Sequence, residues 1–420
     1  MTSSIVKDSK LSTQGLKQIE WAEKHMPVLM QIRQRFEKEK PFAGVNVSAC
    51  LHVTKETAVL AKTLVAGGAK LHLSASNPLS TQDDVAAALD SLGIPTFAVK
   101  GMDNETYWKC LNACVDVKPH VTIDDGCDLV NLIHTKRTEL ISNVIAGQEE
   151  TTTGVVRLKA MAKDKALKYS VVAVNDTPTK HLMDNWYGTA QSTLDGIIRG
   201  TNELIAGKTV VVVGYGHCGK GIASRADGLG AKVLVVDINP VECLRAAFEG
   251  YQVMTMQEAA SKGDIFITVT GNKHVIRKEH FEVMKDNAVV CNSGHFDIEL
   301  NLKDLETLTT STREVRPLVD EHTLKTGKHV IVLGQGRLVN LACAEGHPSE
   351  VMDLSFADQA LTCEWIVKNK EKFKDIKVYD VPNEIDQNVA TLKCKAMNLG
   401  VDKLTSEQIA YMNEWKEGTN

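Results

Sequence analysis

Residues Val210–Ala226 read VVVVGYGHCGKGIASRA: an apolar β-branched run, then Gly-x-Gly-x-x-Gly at Gly214, Gly216 and Gly219, then a helix-forming stretch. A glycine triplet alone is a weak signal. Here it follows a strand, opens a helix and is succeeded by a second strand-like run ending in Asp237, which makes it a dinucleotide fingerprint. The first glycine permits a tight turn, the second lets backbone approach a pyrophosphate, and the third lets helix pack on strand, so that the helix N-terminus faces the phosphates. Asp237 is suited to hydrogen-bond an adenosine ribose, and its charge favours NAD over a cofactor with a 2′-phosphate. His217 and Cys218 lie in the same loop, but adjacent side chains diverge and no other ligand pattern surrounds them. No metal is expected.

Outward from this motif, short apolar runs recur at 209–214, 231–237, 251–255, 264–271, 287–294 and 328–334, separated by helix-length segments or longer connections. Continuous apolar strands of this kind belong to a parallel sheet covered on both faces, and six suit a complete doubly wound dinucleotide unit. The first half repeats the theme at 44–53, 69–75, 94–99, 120–126 and 170–176, with a helical connector over 80–93. The spacing predicts an α/β protein of two doubly wound Rossmann-like domains with an active-site cleft and hinge between them. Residues 181–208 read as one long helical segment joining the halves, 349–373 as a helix long enough to cross back, and 403–420 as a short amphipathic helix with a frayed end. The expected division is a substrate-binding domain over 1–184, completed by 345–385, an NAD-binding domain over 185–344, and a C-terminal segment over 386–420.

Length supports two domains, because 420 residues exceed what one core usually organises. A formal net charge of -5 offers no basic field for nucleic acid or anionic lipid, so neither partner is expected. The start lacks an apolar signal region and no stretch approaches the roughly 20 apolar residues that span a bilayer, so a cytoplasmic location is expected. Ten cysteines are scattered without a CxxC pair, the usage of reduced thiols rather than of a disulfide frame.

An ordinary dehydrogenase needs a hydride site and one acid/base group, yet the first half places an excess of polar residues at strand ends. His52, Thr54 and Glu56 follow one apolar run; Asp124, Asp125 and Asp128 follow another; Glu149, Glu150 and Thr151, Thr152 and Thr153 stand in EETTTG. In open α/β sheets ligands sit beyond the strand C-termini. Asn175, Lys180, Asp184 and Asn185 lie at the expected domain junction, where Lys180 and Asp184, four apart, share a helix face and can grip one hydroxyl. Each group also has an ordinary reading, as turn, cap or surface ion pair.

The segments LHVTKETAVL, SNPLSTQDDVAAAL, IDDGCDLVNLIHTKR, EETTTGVVRL, TKHLMDN, GYGHCGKG, CNSGHFD and GRLVNLACAEGHPSEVMDLSFADQA, in this order, strongly resemble the S-adenosyl-L-homocysteine hydrolase family over about residues 12–412. The resemblance implies a homotetramer with one tightly bound NAD per subunit. It implies reversible hydrolysis of S-adenosyl-L-homocysteine to adenosine and L-homocysteine by transient 3′-oxidation, elimination, water addition and re-reduction, with no net redox change. It further implies that Lys180 and Asp184 hold the 3′-oxygen, with Lys180 as base once burial and nearby positive charge lower its pKa. His52 and Asp125 would flank C4′ and C5′, and Glu150 would bind the ribose hydroxyls. Thr151 to Thr153, Asn185, Gly214, Gly216, His217, Cys218, Gly219, Lys220, Gly221, Asp237, Glu242, Thr270, Ser293, Gly294, His295, Asn340 and His347 would contact NAD, although His295 and His347 also read as satisfied core histidines.

Thr54 and Glu56 match the adenosine type of this family. A carboxylate at Glu56 can accept from a 6-amino group but opposes a 6-oxo acceptor, so the adenosyl thioether is expected over the S-inosyl compound. Several features depart from the family pattern: Asp237 stands where Glu is more usual, Trp186, Thr189 and Ala190 where relatives often have other residues, and Gln335 where Glu is common, and NEWKEGTN does not match the Lys-containing, Tyr-terminated tail of longer members. The competing readings are an S-inosylhomocysteine-preferring hydrolase, a conventional NAD-dependent 2-hydroxy-acid dehydrogenase and a catalytically dead relative that binds a partner. The dehydrogenase leaves Lys180, Asp184 and EETTTG unexplained.

Overall fold

The computed structural model describes residues 4–418; residues 1–3 and the expected frayed end at Thr419 and Asn420 lie outside the described residues. Two sheets organise the chain. The first contains β1 (Asn46–Leu51), β2 (Lys70–Ala75), β3 (Thr96–Phe97), β4 (Val121–Asp124), β5 (Ala146–Glu149) and β6 (Val171–Ala173) in the order β3-β2-β1-β4-β5-β6, all parallel. The second contains β7 (Thr209–Val213), β8 (Lys232–Val236), β9 (Gln252–Val253), β10 (Ile265–Thr268) and β11 (Ala288–Asn292), then the hairpin β12 (Thr309–Arg316) and β13 (Val319–Leu324), then β14 (His329–Leu333). Its order is β12-β13-β14-β11-β10-β7-β8-β9. A last strand, β15 (Val378–Asp380), returns to pair in parallel with β6. Six strands of each sheet therefore follow the doubly wound order, with the chain reversing direction between β1 and β4 and between β7 and β10.

Every expected strand is present in shortened form, and four were not foreseen. The second sheet is not purely parallel: β12 and β13 extend it as an antiparallel hairpin. The polar, exposed TTSTREVR of β12 carries none of the apolar signal of a buried strand. The segment 181–208 is also not one helix. It divides into a short helix at Pro178–His181, a π-turn at Asp184–Gly188 and a helix at Thr189–Thr201. The helix Ser349–Lys368 packs on β4, β5 and the helices around the first sheet, and it is buried along most of its length. The tail helix narrows to Ser406–Met412 and buries none of its residues.

The apolar residues that made the strands legible form the cores. Val210, Val212, Val235, Ile265 and Ile267 pack on one face of the second sheet, while Val211, Val213, Phe266 and Val290 pack on the other. This two-sided burial is why the runs are continuous rather than alternating. None of the cysteines is paired, and no helix is long and apolar enough to cross a membrane, among the described residues.

Candidate active site between the sheets

Register places the polar groups of the first half together. Cys50 aligns with Asp124, Asp124 with Glu149 and Glu149 with Ala173, so the residues that follow emerge along one carboxyl edge. Val213 and Thr268 align in the same way in the second sheet, bringing the glycine loop beside Val269–Gly271. The two edges line one cavity of about 1290 Å³.

The glycine loop acts in three distinct ways. Gly214 has φ 104, and a Cβ there would lie 2.8 Å from the Val269 carbonyl oxygen. A Cβ on Gly219 would lie 1.9 Å from the Gly214 carbonyl oxygen, which is the close helix–strand contact expected of the third glycine. Gly216 instead has no protein atom within 4 Å of its would-be Cβ and caps the helix His217–Gly228 without a side-chain bond. The open space and unsatisfied N–H groups suit a pyrophosphate. Asp237 accepts from the amides of Tyr215 at 2.5 Å and Asn239 at 2.7 Å, which pins its carboxylate at the end of β8. Farther along the cavity, Asn340 donates to Ser192 Oγ at 3.2 Å, while its Oδ1 is buried with no partner. Such an acceptor fits the amide of a nicotinamide.

His52, Thr54, Asp125, Glu150, Thr151, Thr152, Thr153, Lys180, Asp184 and Asn185 all line this cavity, as do Gly214, Gly216, His217, Cys218, Asp237, Thr270, Ser293, Gly294, His295, Asn340 and His347. Five expected residues are not part of its lining. Gly219 and Gly221 are packing positions, since a Cβ at Gly221 would lie 2.2 Å from the Trp186 carbonyl oxygen. Lys220 and Glu242 pair with each other at 2.6 Å. Glu56 is buried at 1 % exposure, where its Oε1 accepts from Ser349 Oγ at 2.6 Å and stands 3.3 Å from Lys55 Nζ.

Lys180 is the centre of the polar cluster. Its Nζ donates to Asn185 Oδ1 at 2.8 Å and Asn175 Oδ1 at 3.2 Å, with Glu150 Oε1 at 3.6 Å and Asp184 Oδ1 at 3.7 Å. The expected lowering of its pKa is not found. Burial pulls it down, but Asp184, Glu150 and Asp125 outweigh that, and the amine is held above its ordinary value. Asp184 is held well below the usual carboxylate range: burial opposes ionisation, but Lys180, His347 and Ser355 stabilise the anion. Glu150 moves the other way, pushed up to about 8 by burial and only partly relieved by Lys180. One buried cation thus keeps one carboxylate ionised beside a second that retains its proton.

His52 is neutral, with burial pushing it down to about 4. Its Nδ1 lies 2.8 Å from Ser80 Oγ and 3.1 Å from Ser76 Oγ, leaving Nε2 to face Asp125 Oδ2 at 3.4 Å. His295 Nδ1 stands 3.6 Å from the other Asp125 oxygen. Donor atoms of His52, Asp125 and His295 all lie within 4.8 Å of one another, close enough to share a proton or a cation. His347 is no isolated core histidine: Nδ1 lies 3.0 Å from Asp184 Oδ1 and Nε2 3.4 Å from Thr189 Oγ1.

Other strand-end polar residues support the loops. Asp124 accepts from the amides of Asp125 and Val130, and Glu149 from those of Gly126 and Thr151. Asp128 pairs with Arg157 at 2.7 Å. Thr270 donates to the buried Glu299, which also takes the Gly271 amide. Sequence reading missed Glu299, and it missed Ser355 and Gln359, which donate to Asp184 at 2.7 Å and Glu150 at 2.6 Å. The signal was available: Ser355 and Gln359 are four apart on one face of a long helix that buries several polar residues, Asp353, Asp358 and Thr362 among them.

Residues 3–146 match the family described as S-adenosyl-L-homocysteine hydrolase, and residues 185–346 match its NAD binding domain. An adenosylhomocysteinase of Thermosynechococcus vestitus is 58% identical, the match covering 99% of this chain and 96% of that protein. One from Aquifex aeolicus is 56% identical over 99% of both chains. A protein of Methanocaldococcus jannaschii named S-inosyl-L-homocysteine hydrolase is also 56% identical over 99% of both. The chain belongs to the S-adenosyl-L-homocysteine hydrolase family, and its cofactor is NAD.

Proposed function

We propose that this enzyme catalyses the reversible hydrolysis of S-adenosyl-L-homocysteine to adenosine and L-homocysteine. The observation that carries the reading is the buried group of Lys180, Asp184, Glu150 and Asn185 on the cavity that the glycine loop also lines. A thioether at an unactivated carbon is a poor target for water. NAD, when bound, supplies a hydride acceptor that turns the 3′-carbinol into a ketone and so makes C4′–H acidic. The open space at Gly216, the carboxylate of Asp237 and the orphaned Oδ1 of Asn340 support its seat there, with Thr151 to Thr153, Asn185 and Ser293 to His295 around it.

The chain's own groups divide the proton work. Lys180 takes the proton of the 3′-hydroxyl, for which it first releases to water the one that Asp184 and Asp125 favour. Asp184, fixed by Ser355 and His347, orients that amine and the 3′-oxygen. Glu150, protonated near neutrality, donates to a ribose hydroxyl without adding a second charge. Asp125 removes and returns the C4′ proton, and neutral His52 moves a proton for thiolate departure and water addition at C5′. Thr54 reads the base from the cavity wall; Glu56, outside the lining with Oε1 held by Ser349 and Lys55, favours a 6-amino over a 6-oxo group through its charge. Because a 56%-identical relative is named for the inosyl substrate, overall identity does not separate the two bases. The adenosyl preference proposed here rests on Thr54 and on the carboxylate of Glu56.

The working unit is a cytoplasmic homotetramer whose substrate domain (1–184 with 345–385) and NAD domain (185–344) close about the segments near 184 and 345. Val241, Leu244 and Phe248, exposed along one helix, support an assembled state. The test is to supply purified holoenzyme, without added NAD, with the adenosyl and inosyl thioethers and follow free thiol. Catalytic thiol release is expected, faster with the adenosyl compound, with no accumulating NADH. Stoichiometric NADH, or no thiol from either compound, would overturn it.

A further inference from the structure

The β12–β13 hairpin takes no part in the cleft, yet its turn is pinned. Leu318 holds φ 58, a left-handed conformation unfavourable for a non-glycine residue. Its amide donates to Glu314 Oε1 at 2.8 Å, and its carbonyl accepts from the Gly334 amide at 2.8 Å. A strained turn held at both ends fixes the residues it carries, and two positions before Leu318 it carries Arg316.

Arg316, Pro317 and Leu318 wall a second cavity, of about 500 Å³, whose other sides are Lys100 and Gly101 from the end of the first sheet, Arg199, and Ala342–Cys343. The cations here are unevenly satisfied. Arg199 is matched by Asp195 at 2.9 Å and Glu345 at 3.0 Å. Lys100 and Arg316 have no carboxylate within salt-bridge distance among the described residues. Lys100 Nζ donates to the Ala342 carbonyl at 3.0 Å, and Arg316 reaches only the Arg199 carbonyl at 3.5 Å. Of the acids nearby, Asp83 is paired with Lys7 and Glu314 is taken by the Leu318 amide. Burial pulls the Lys100 amine down, the penalty an uncompensated cation carries, and an anion would relieve it.

We propose that this cavity binds a small oxyanion-bearing molecule, a phosphate or a carboxylate, whose charge is met by Lys100 from one half of the chain and Arg316 from the other. The site is separate from the NAD-lined cleft, with which it shares no lining residue. The experiment is isothermal titration of NAD-loaded enzyme with inorganic phosphate and with citrate, against sodium chloride of equal ionic strength. Saturable binding is expected, weakened about tenfold or more in K100Q/R316Q, because charge-assisted bonds are lost. Turnover of the anion-free double variant should stay within about twofold of the parent, since neither residue touches the cleft. R316Q alone alters only an exposed hairpin side chain and should weaken binding even if the double variant misfolds. Tighter phosphate than citrate identifies a phosphate ligand, and the reverse a carboxylate. Heats no larger than those of sodium chloride, or equal affinity in the variants, would overturn the proposal.

Discussion

Two alanine substitutions in one loop should fail in opposite ways. At Gly219 a Cβ would sit 1.9 Å from the Gly214 carbonyl oxygen, whereas real Cβ atoms essentially never come within 3.0 Å of a neighbour. The clash is with backbone, so relief requires the helix His217–Gly228 to move about 1 Å from β7. Overpacking of this kind costs about 1–3 kcal/mol or more. Gly216→Ala meets no protein atom and has φ -71 and ψ -166, which an alanine adopts without strain. Its methyl instead fills the space assigned to the pyrophosphate. The expected outcome is that G219A loses both thermal stability and NAD, while G216A melts, as apoenzyme, within about 1 °C of the parent yet retains NAD at least about tenfold more weakly. Apoenzyme melting and the NAD content of protein dialysed to equilibrium are the measurements. A G216A protein that keeps its full NAD, or a G219A protein with parental melting and NAD, would contradict these roles for the two glycines.

Further outcomes follow from the polar cluster. Replacing Lys180 by Met should lower turnover about 10²–10⁴-fold, the range of a general base, with folding intact by circular dichroism. Because that lysine is held above its ordinary pKa by its carboxylates, kcat/KM should rise with pH above neutrality, and D184N should move this limb to lower pH while lowering kcat. Ser355→Ala removes a bond to an ionised carboxylate and should cost about 1.5–3 kcal/mol of Asp184 stabilisation, read as lost kcat with the limb shifted. His52, pushed down to about 4, stays neutral while the unfolded imidazole takes a proton near 6.5. The unfolded state then binds more protons between those values, so stability falls as pH drops through them, by roughly 3 kcal/mol at the limit. H52N should flatten that part of a denaturation-versus-pH curve.

Much of this was legible because buried parallel strands leave continuous apolar runs, and because a chain reversal in a parallel sheet fixes where strand-end residues meet. His52, Asp125 and Glu150 are far apart in sequence, yet register brings them to one edge. The pairing of β12 with β13 was not legible, since an exposed antiparallel edge needs no apolar pattern. Nor was the break of 181–208 into a π-turn: DNWYG has no helix breaker before Gly188, and only packing against the neighbouring helices selects it. Electrostatic direction was the largest miss. The sequence showed a lysine beside an acid, but the sum over Asp184, Glu150 and Asp125 requires their positions.

The central claim is that the C–S bond breaks by elimination from a transiently oxidised sugar, not by direct attack of water at C5′. Running the reaction in D₂O and locating deuterium in the adenosine product by NMR tests it most directly. Deuterium is expected at C4′, where Asp125 exchanges a proton with solvent, with the original hydrogen retained at C3′. Adenosine released with C4′ unlabelled would contradict it.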